Sequence, residues 1–276
     1  MVKVVDIDAL FENYISDFVY SNVGKVKPEE IENKIPELYV KFGDERLKEL
    51  DGKTPNEYYK NFTGAELLNC LKAHLEGDVQ ISDFLCEGIT SNPKNEDALI
   101  ASLNGEESEE FILYVMNMLS DMQSKKCLNR YLEFITWDYS DSVKELATEY
   151  LRDHAESVKE SILEQFNDCD DNVKAYLTEI LSGCKWDDRV LDILVLQFKT
   201  HLDNIPVYAS YLAKYGDDRA LPFLMQEIEK EKISYADFEE LRFAIEALGG
   251  KYDKIRDFKS DKSFKLIKGE DKEKNK

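Results

Sequence analysis

Asp187-Asp188-Arg189-Val190-Leu191-Asp192-Ile193-Leu194 is followed 30 residues later by Asp217-Asp218-Arg219-Ala220-Leu221-Pro222-Phe223-Leu224. A helix-length apolar segment precedes each copy. Leu241-Arg242-Phe243-Ala244-Ile245-Glu246-Ala247-Leu248-Gly249-Gly250 follows the second. Helix, acidic turn and helix, repeated at a fixed period, is the sequence form of stacked α-hairpins, in which each hairpin buries its apolar stripe against the next.

Moving outward, Val143 and Val173 stand 30 residues apart, and each is followed eight residues later by leucine, Leu151 or Leu181. The spacing predicts helix pairs at 142–167, 172–201, 204–231 and 235–258, the last with a weak second helix, and earlier pairs at 95–137 and 63–91. Ser142-Val143-Lys144-Glu145 and Ser157-Val158-Lys159-Glu160 read as capping boxes that each start a helix. Thr54-Pro55-Asn56-Glu57, after the Asp51-Gly52 turn, and Thr63-Gly64-Ala65-Glu66 read the same way.

Near the start, Leu10, Phe11, Tyr14, Ile15, Phe18 and Val19 form one stripe of a 3.6-residue period, predicting a helix from Asp6 to Gly24. Pro28 suits the first turn of the next helix, with Ile31 and Ile35 inward, and Pro36 breaks or kinks it.

These features resemble the HEAT-like repeat family, in its short bacterial form, over roughly residues 95–258. The units of that family read as a helix ending in Leu-Gly, a short Asp turn, and a helix with Ala-Leu-Pro-x-Leu near its start. The resemblance implies an all-α, right-handed α-α superhelix (a HEAT-like solenoid). Residues 1–62 then form an irregular helical N-terminal cap, 63–258 the α-hairpin repeats and 259–276 a lysine-rich polar tail. It also implies a long concave face, made by the second helices, that binds proteins.

Composition narrows the function. Apolar residues make up 43% and charged residues 34%, with only 12 Gly and 6 Pro, a globular and helix-favouring mixture. The formal charge is −21, and the last 18 residues hold seven Lys against four acids, so residues 1–258 carry −24. Such a body repels polyphosphate, so nucleic acid is not the expected partner and a protein with a basic surface is. Five scattered cysteines without a Cys-x-x-Cys pair predict reduced thiols and a cytoplasmic location. No stretch approaches the ~20 apolar residues of a membrane span.

No phosphate loop, dinucleotide fingerprint or nucleophile elbow occurs, and His74, His154 and His201 make no zinc-binding spacing. Asp168-Cys169-Asp170-Asp171 lacks the glycine and terminal glutamate of a calcium loop and reads as a helix N-cap. No cofactor or metal is therefore expected. The predicted function is a non-catalytic interaction or adaptor module. The alternatives are an enzyme of the DNA-glycosylase or bilin-lyase type, which the family also contains, and a regulatory protein sensing a small ligand. Candidate partner-binding residues are Arg152, Lys159, Lys174, Trp186, Arg189, Tyr208 and Arg219. Arg189 and Arg219 are expected to pair with turn aspartates between units. Trp137 and Trp186 sit in turns, where packing between adjacent turns is expected and an exposed anchor is the alternative.

Overall fold

A computed structural model describes residues 3–22, 31–105 and 107–268. Among them there are helices, turns and loops but no strand. The chain divides into two compact units, Met1–Cys127 and Leu128–Lys276. The expected boundary at 62/63 falls inside the first and that at 258/259 inside the second.

In the first unit, helix α1 (Ile7–Ser21) starts where the Asp6 carboxylate accepts the Ala9 N–H at 2.8 Å. Its apolar stripe is only half-covered, and Ile7 alone is fully buried. Phe11 meets Tyr39 and Phe42 of α2 (Ile35–Phe42) at ring-centroid distances of 4.9 and 5.2 Å. Pro36 lies in the first turn of α2, where its missing N–H is harmless, and a turn at 33–34 interrupts the helix just before it. Ile35 is 38% exposed, against the inward position expected, because α2 starts there and turns Leu38 and Phe42 to the core. Pro28 lies outside the described residues.

A short helix, α3 (Pro55–Tyr58), follows the Asp51-Gly52 turn, whose residues both have positive φ. Thr54 makes no side-chain cap bond, so the first expected capping box does not form; the four-residue helix is held instead by burial of Pro55 and Tyr58. The second box does form. Thr63 and Glu66 cap each other reciprocally at the start of α4 (Gly64–Glu76). The remaining helices are α5 (Asp83–Thr90), α6 (Glu96–Ser102) and α7 (Glu109–Asp121). Helix α4 packs on α5, α6 and α7 through Leu67, Leu68 and Leu71. His74, 1% exposed, places Nδ1 2.7 Å from the Cys70 carbonyl and Nε2 3.2 Å from that of Val5, tying the N-terminal segment to α4.

The second unit contains α8 (Leu128–Thr136), α9 (Asp141–Asp153), α10 (Ala155–Gln165), α11 (Asp171–Leu181), α12 (Asp188–Thr200), α13 (Ile205–Tyr215), α14 (Leu221–Ile228), α15 (Tyr235–Ala247) and α16 (Lys262–Lys268). The expected pairs 142–167, 172–201 and 204–231 thus each hold two helices. Helix α9 lies against α8 and α11, α13 against α12 and α15, and α15 against α14. Val143, Ala147 and Leu151 of α9, and Val173, Leu177 and Leu181 of α11, are buried.

The two Ser-Val-Lys-Glu tetrapeptides lie within first turns and do not begin their helices. Ser140 caps α9, accepting the Val143 N–H at 3.4 Å, and α10 starts at Ala155 after His154 with no side-chain cap. Burial of Ala155 and Val158 sets that register. Asp170 caps α11 as expected, accepting the Val173 N–H at 2.9 Å. Gly183 lets the turn after α11 sit on the end of α9: a Cβ there would stand 2.7 Å from the Arg152 carbonyl oxygen.

The weak second helix expected within 235–258 does not form. Gly249, at φ 81°, ends α15, and residues 251–258 run without helix across its aromatic face before α16. Arg256 donates to the carbonyls of Ile228, Lys230 and Glu229, closing the C-terminus of α14.

No disulfide links the five cysteines; Cys70, Cys127 and Cys184 are buried. Burial pushes the Cys70 and Cys86 thiols up to about 11 and that of Cys184 to about 12.

Candidate functional site

The repeated Asp-Asp-Arg motif builds a ladder on the turns of the second unit. Asp187 caps α12 by accepting the Arg189 N–H at 3.0 Å, and it also takes Nε and Nη2 of the same arginine at 3.0 and 2.7 Å. The two terminal nitrogens of Arg189 then reach back to α10 and grip both Glu160 oxygens at 2.9 and 2.8 Å. One period on, Asp217 binds Arg219 in the same way, and Arg219 Nη1 reaches back to Asp188 at 2.7 Å. One period earlier, Lys159 contacts Glu156 at 2.7 Å and Asp187 at 3.5 Å.

Lys159, Arg189 and Arg219 are therefore three rungs at a 30-residue spacing, each joining consecutive hairpins. The expected pairing holds for Arg219 with a turn aspartate; Arg189 reaches a helical glutamate. The side-chain hydrogen bonds from Arg189 and Arg219 hold the Asp187 and Asp217 carboxyls well below the usual carboxylate range. Tyr215 of α13 adds a neutral rung: its hydroxyl accepts the Asp187 N–H at 2.6 Å and lies 2.9 Å from the Asp187 carbonyl.

Trp186 sits between these fixed points. The N–H of its neighbour Lys185 is held by Glu156 at 3.1 Å, and Asp187 is fixed on the other side, yet the indole is 68% exposed. Trp137 is 56% exposed, with the Arg130 guanidinium 5.5 Å from its ring. Neither indole packs away between turns as expected. The ladder fills the contact between the Trp186 turn and its neighbours with ion pairs and leaves that ring outside.

No match is found among protein-family models, characterised proteins or solved structures.

The other candidate residues lie elsewhere. Arg152 of α9 pairs with Glu179 of α11 at 2.9 Å, and Tyr211 of α13 donates to the same carboxylate at 3.2 Å. Tyr208 is only 6% exposed, stacked on His201 at 4.7 Å, and belongs to the core. Lys174 is half-buried near the start of α11, at the far end of that helix from Trp186. The structure thus brings together Lys159, Trp186, Arg189 and Arg219 and separates Arg152, Lys174 and Tyr208 from them.

Beside the ridge, α10 and α12 present Glu156, Glu160, Glu164, Asp188 and Asp192 outward, with Arg189 and Lys199 as the exposed cations of those helices and Leu196 55% exposed among them. Leu196 was hidden from sequence reasoning because it falls inside an apolar run, Leu194-Val195-Leu196, that reads as core throughout.

The histidines share one arrangement. In His74, His154 and His201, Nδ1 faces the carbonyl four residues earlier at 2.7, 3.0 and 3.0 Å, at the C-terminal end of a helix. Among the described residues no group of three or more His, Cys, Asp or Glu is placed to hold a metal ion.

Proposed function

We propose that the chain is a non-catalytic protein-interaction module of HEAT-like character, its hairpins stacked as a solenoid that docks a partner with a basic surface. The observation that carries this reading is Trp186, a large apolar ring held out to solvent by a backbone fixed on both sides. An indole has only two torsions to fix on binding, and aromatic anchors of this kind dominate interface energetics. The exposed positions of α10 and α12 are mostly acidic, and Leu196 of α12 is 55% exposed, which suits a basic partner and disfavours DNA. The glycosylase alternative needs a positive groove, and the charges here have the opposite sign. Five cysteines with no disulfide among them favour a reducing, cytoplasmic setting.

The test is affinity capture with the full chain, with Trp186→Ala, and with Glu164→Lys/Asp192→Lys, whose acids lie outside the ladder. A protein with a basic surface is expected with the native chain, and its affinity falls about thirtyfold in Trp186→Ala, as for an aromatic hot spot of about 2 kcal/mol. Recovery indifferent to both variants, or recovery of DNA in place of protein, refutes the reading.

A further inference from the structure

Residues 259–276 carry seven Lys against four acids, while residues 1–258 carry −24. The described part of this basic end is α16, and it is fixed in place. Phe264 meets the Tyr235 ring edge-on at 4.9 Å, and the Ser263 hydroxyl accepts the Ala236 N–H at 3.2 Å. Those contacts turn one face of α16 to the start of α15. Lys262, Lys265 and Leu266, at i, i+3 and i+4, share the opposite face. Leu266 is 69% exposed, and Lys259, Lys262 and Lys265 make no ion pair among the described residues. The two acids of this stretch are engaged locally. Asp257 accepts the Lys259 N–H at 3.0 Å, and Asp261 accepts from the Ser263 hydroxyl and, at 3.0 Å, from the Phe264 N–H.

A surface of opposite sign lies on α10 and α12. Glu156 accepts the Lys185 N–H, and Glu160 pairs with Arg189, both at an offset of 29 residues. The constant offset means that the two segments run parallel and in register, which sets Glu164 of α10 beside residue 193 of α12. Asp188, Asp192 and Leu196, each four residues from the next, form one exposed row on α12 with Trp186 at its head. Arg219 takes Asp188, but Glu164 and Asp192 make no ion pair among the described residues. The cations nearby are already used: Arg189 grips Glu160 and Asp187, and Lys199 lies over the Phe223 ring at 5.4 Å.

The two surfaces match in charge and in spacing. Trp186 precedes Asp192 by less than two turns, and Leu266 follows Lys262 by about one turn, a difference within the length of a lysine side chain. Helix α16 does not cover its own α12 row, because Phe264 and Ser263 hold it to α15 and Trp186 stays 68% exposed.

Resting on the docking reading of Trp186, we infer that the basic partner is a second copy of this chain. Lys262 and Lys265 of one copy meet Asp192 and Glu164 of the next, and Leu266 lies against Trp186. Each copy carries both surfaces, so the contact is head-to-tail and adds copies one after another. The patch is small, and the association is correspondingly weak and reversible.

The experiment is sedimentation velocity on the full chain over a concentration series at about 0.15 M salt, which screens repulsion between whole acidic molecules but not pairs in contact. The weight-average sedimentation coefficient rises with concentration, with a pairing Kd of about 100 μM. Raising the salt to about 1 M weakens the association at least about tenfold. Lys262→Glu/Lys265→Glu and Glu164→Lys/Asp192→Lys, each alone, weaken it at least about tenfold, and an equimolar mixture of the two restores it to within about threefold of native. Circular dichroism establishes that each variant is folded. A native chain that stays monomeric at about 1 mM, association indifferent to salt or to the lysine variant, or a mixture that stays monomeric overturns the inference. A monomeric chain that still captures a basic protein through Trp186 overturns it while leaving the docking reading intact.

Discussion

Gly183→Ala tests the contact between successive hairpins directly. The new Cβ would lie 2.7 Å from the Arg152 carbonyl oxygen, 3.3 Å from that of Ile180 and 3.4 Å from the Ala155 Cβ. The first distance is below the 3.0 Å that real Cβ atoms respect, and the atom met is backbone, which cannot swing aside like a side chain. The turn after α11 must back away from the end of α9 by about 0.7 Å to regain ordinary contact. Overpacking of this kind costs about 1–3 kcal/mol. Alanine also restricts the unfolded chain, which offsets about 0.4–1 kcal/mol at a position whose φ is not positive. The net loss is about 1–2 kcal/mol, a fall of roughly 3–6 °C in Tm for a unit of this size. Both tryptophans, Trp137 and Trp186, lie in the second unit, so fluorescence during urea unfolding reports on that unit alone. A neutral or stabilised Gly183→Ala with unchanged urea dependence would mean that the two turns do not touch as described.

Three further expectations are open to urea unfolding, the first followed by tryptophan fluorescence and the other two by circular dichroism, because the first unit holds no tryptophan. Asp187 and Asp217 have folded pKa values below the unfolded value of about 3.9, so their contribution is full above that pH and fades as pH falls through the folded values; Asp187→Asn/Asp217→Asn, which keeps the caps, should be less stable than the native chain at neutral pH, with the gap closing in acid. A gap of constant size would remove the arginine pairing as its cause. Gln123, at φ 54°, ends α7 in the left-handed region, so Gln123→Gly should add about 1 kcal/mol, and Asp78→Gly at φ 51° less, because aspartate tolerates that region better; destabilisation by either would contradict the backbone geometry. Thr63→Val should cost about 1 kcal/mol and Thr54→Val within about 0.5, since only the first hydroxyl caps a helix; equal losses would refute the distinction.

The helices of the second unit and the ladder turns are legible in the sequence because their signals are local. A capping aspartate two residues before an arginine, at a fixed period, specifies its own turn and the reach of the guanidinium to the preceding hairpin. Cap positions are less legible: Ser140 and Ser142 both suit the start of α9, and burial of Val143 and Ala147 decides between them. The exposure of Trp186 is not legible, because it depends on Glu156 and Tyr215, which approach from other hairpins. The aromatic cluster on α15 is the least legible feature. Tyr252 and Phe258 come from a segment with no helical period, and Phe264 from a short helix beyond it, so their meeting with Tyr235 and Phe238 is set by tertiary structure alone.

The buried thiols give each half of the molecule its own clock. Cys70 lies in the first unit and Cys184 in the second, both shielded and both raised far above neutral pH, so an alkylating reagent waits for an opening event before it reacts. Timing the mass increment on each cysteine would reveal whether the halves breathe in concert or separately, with no label added beforehand.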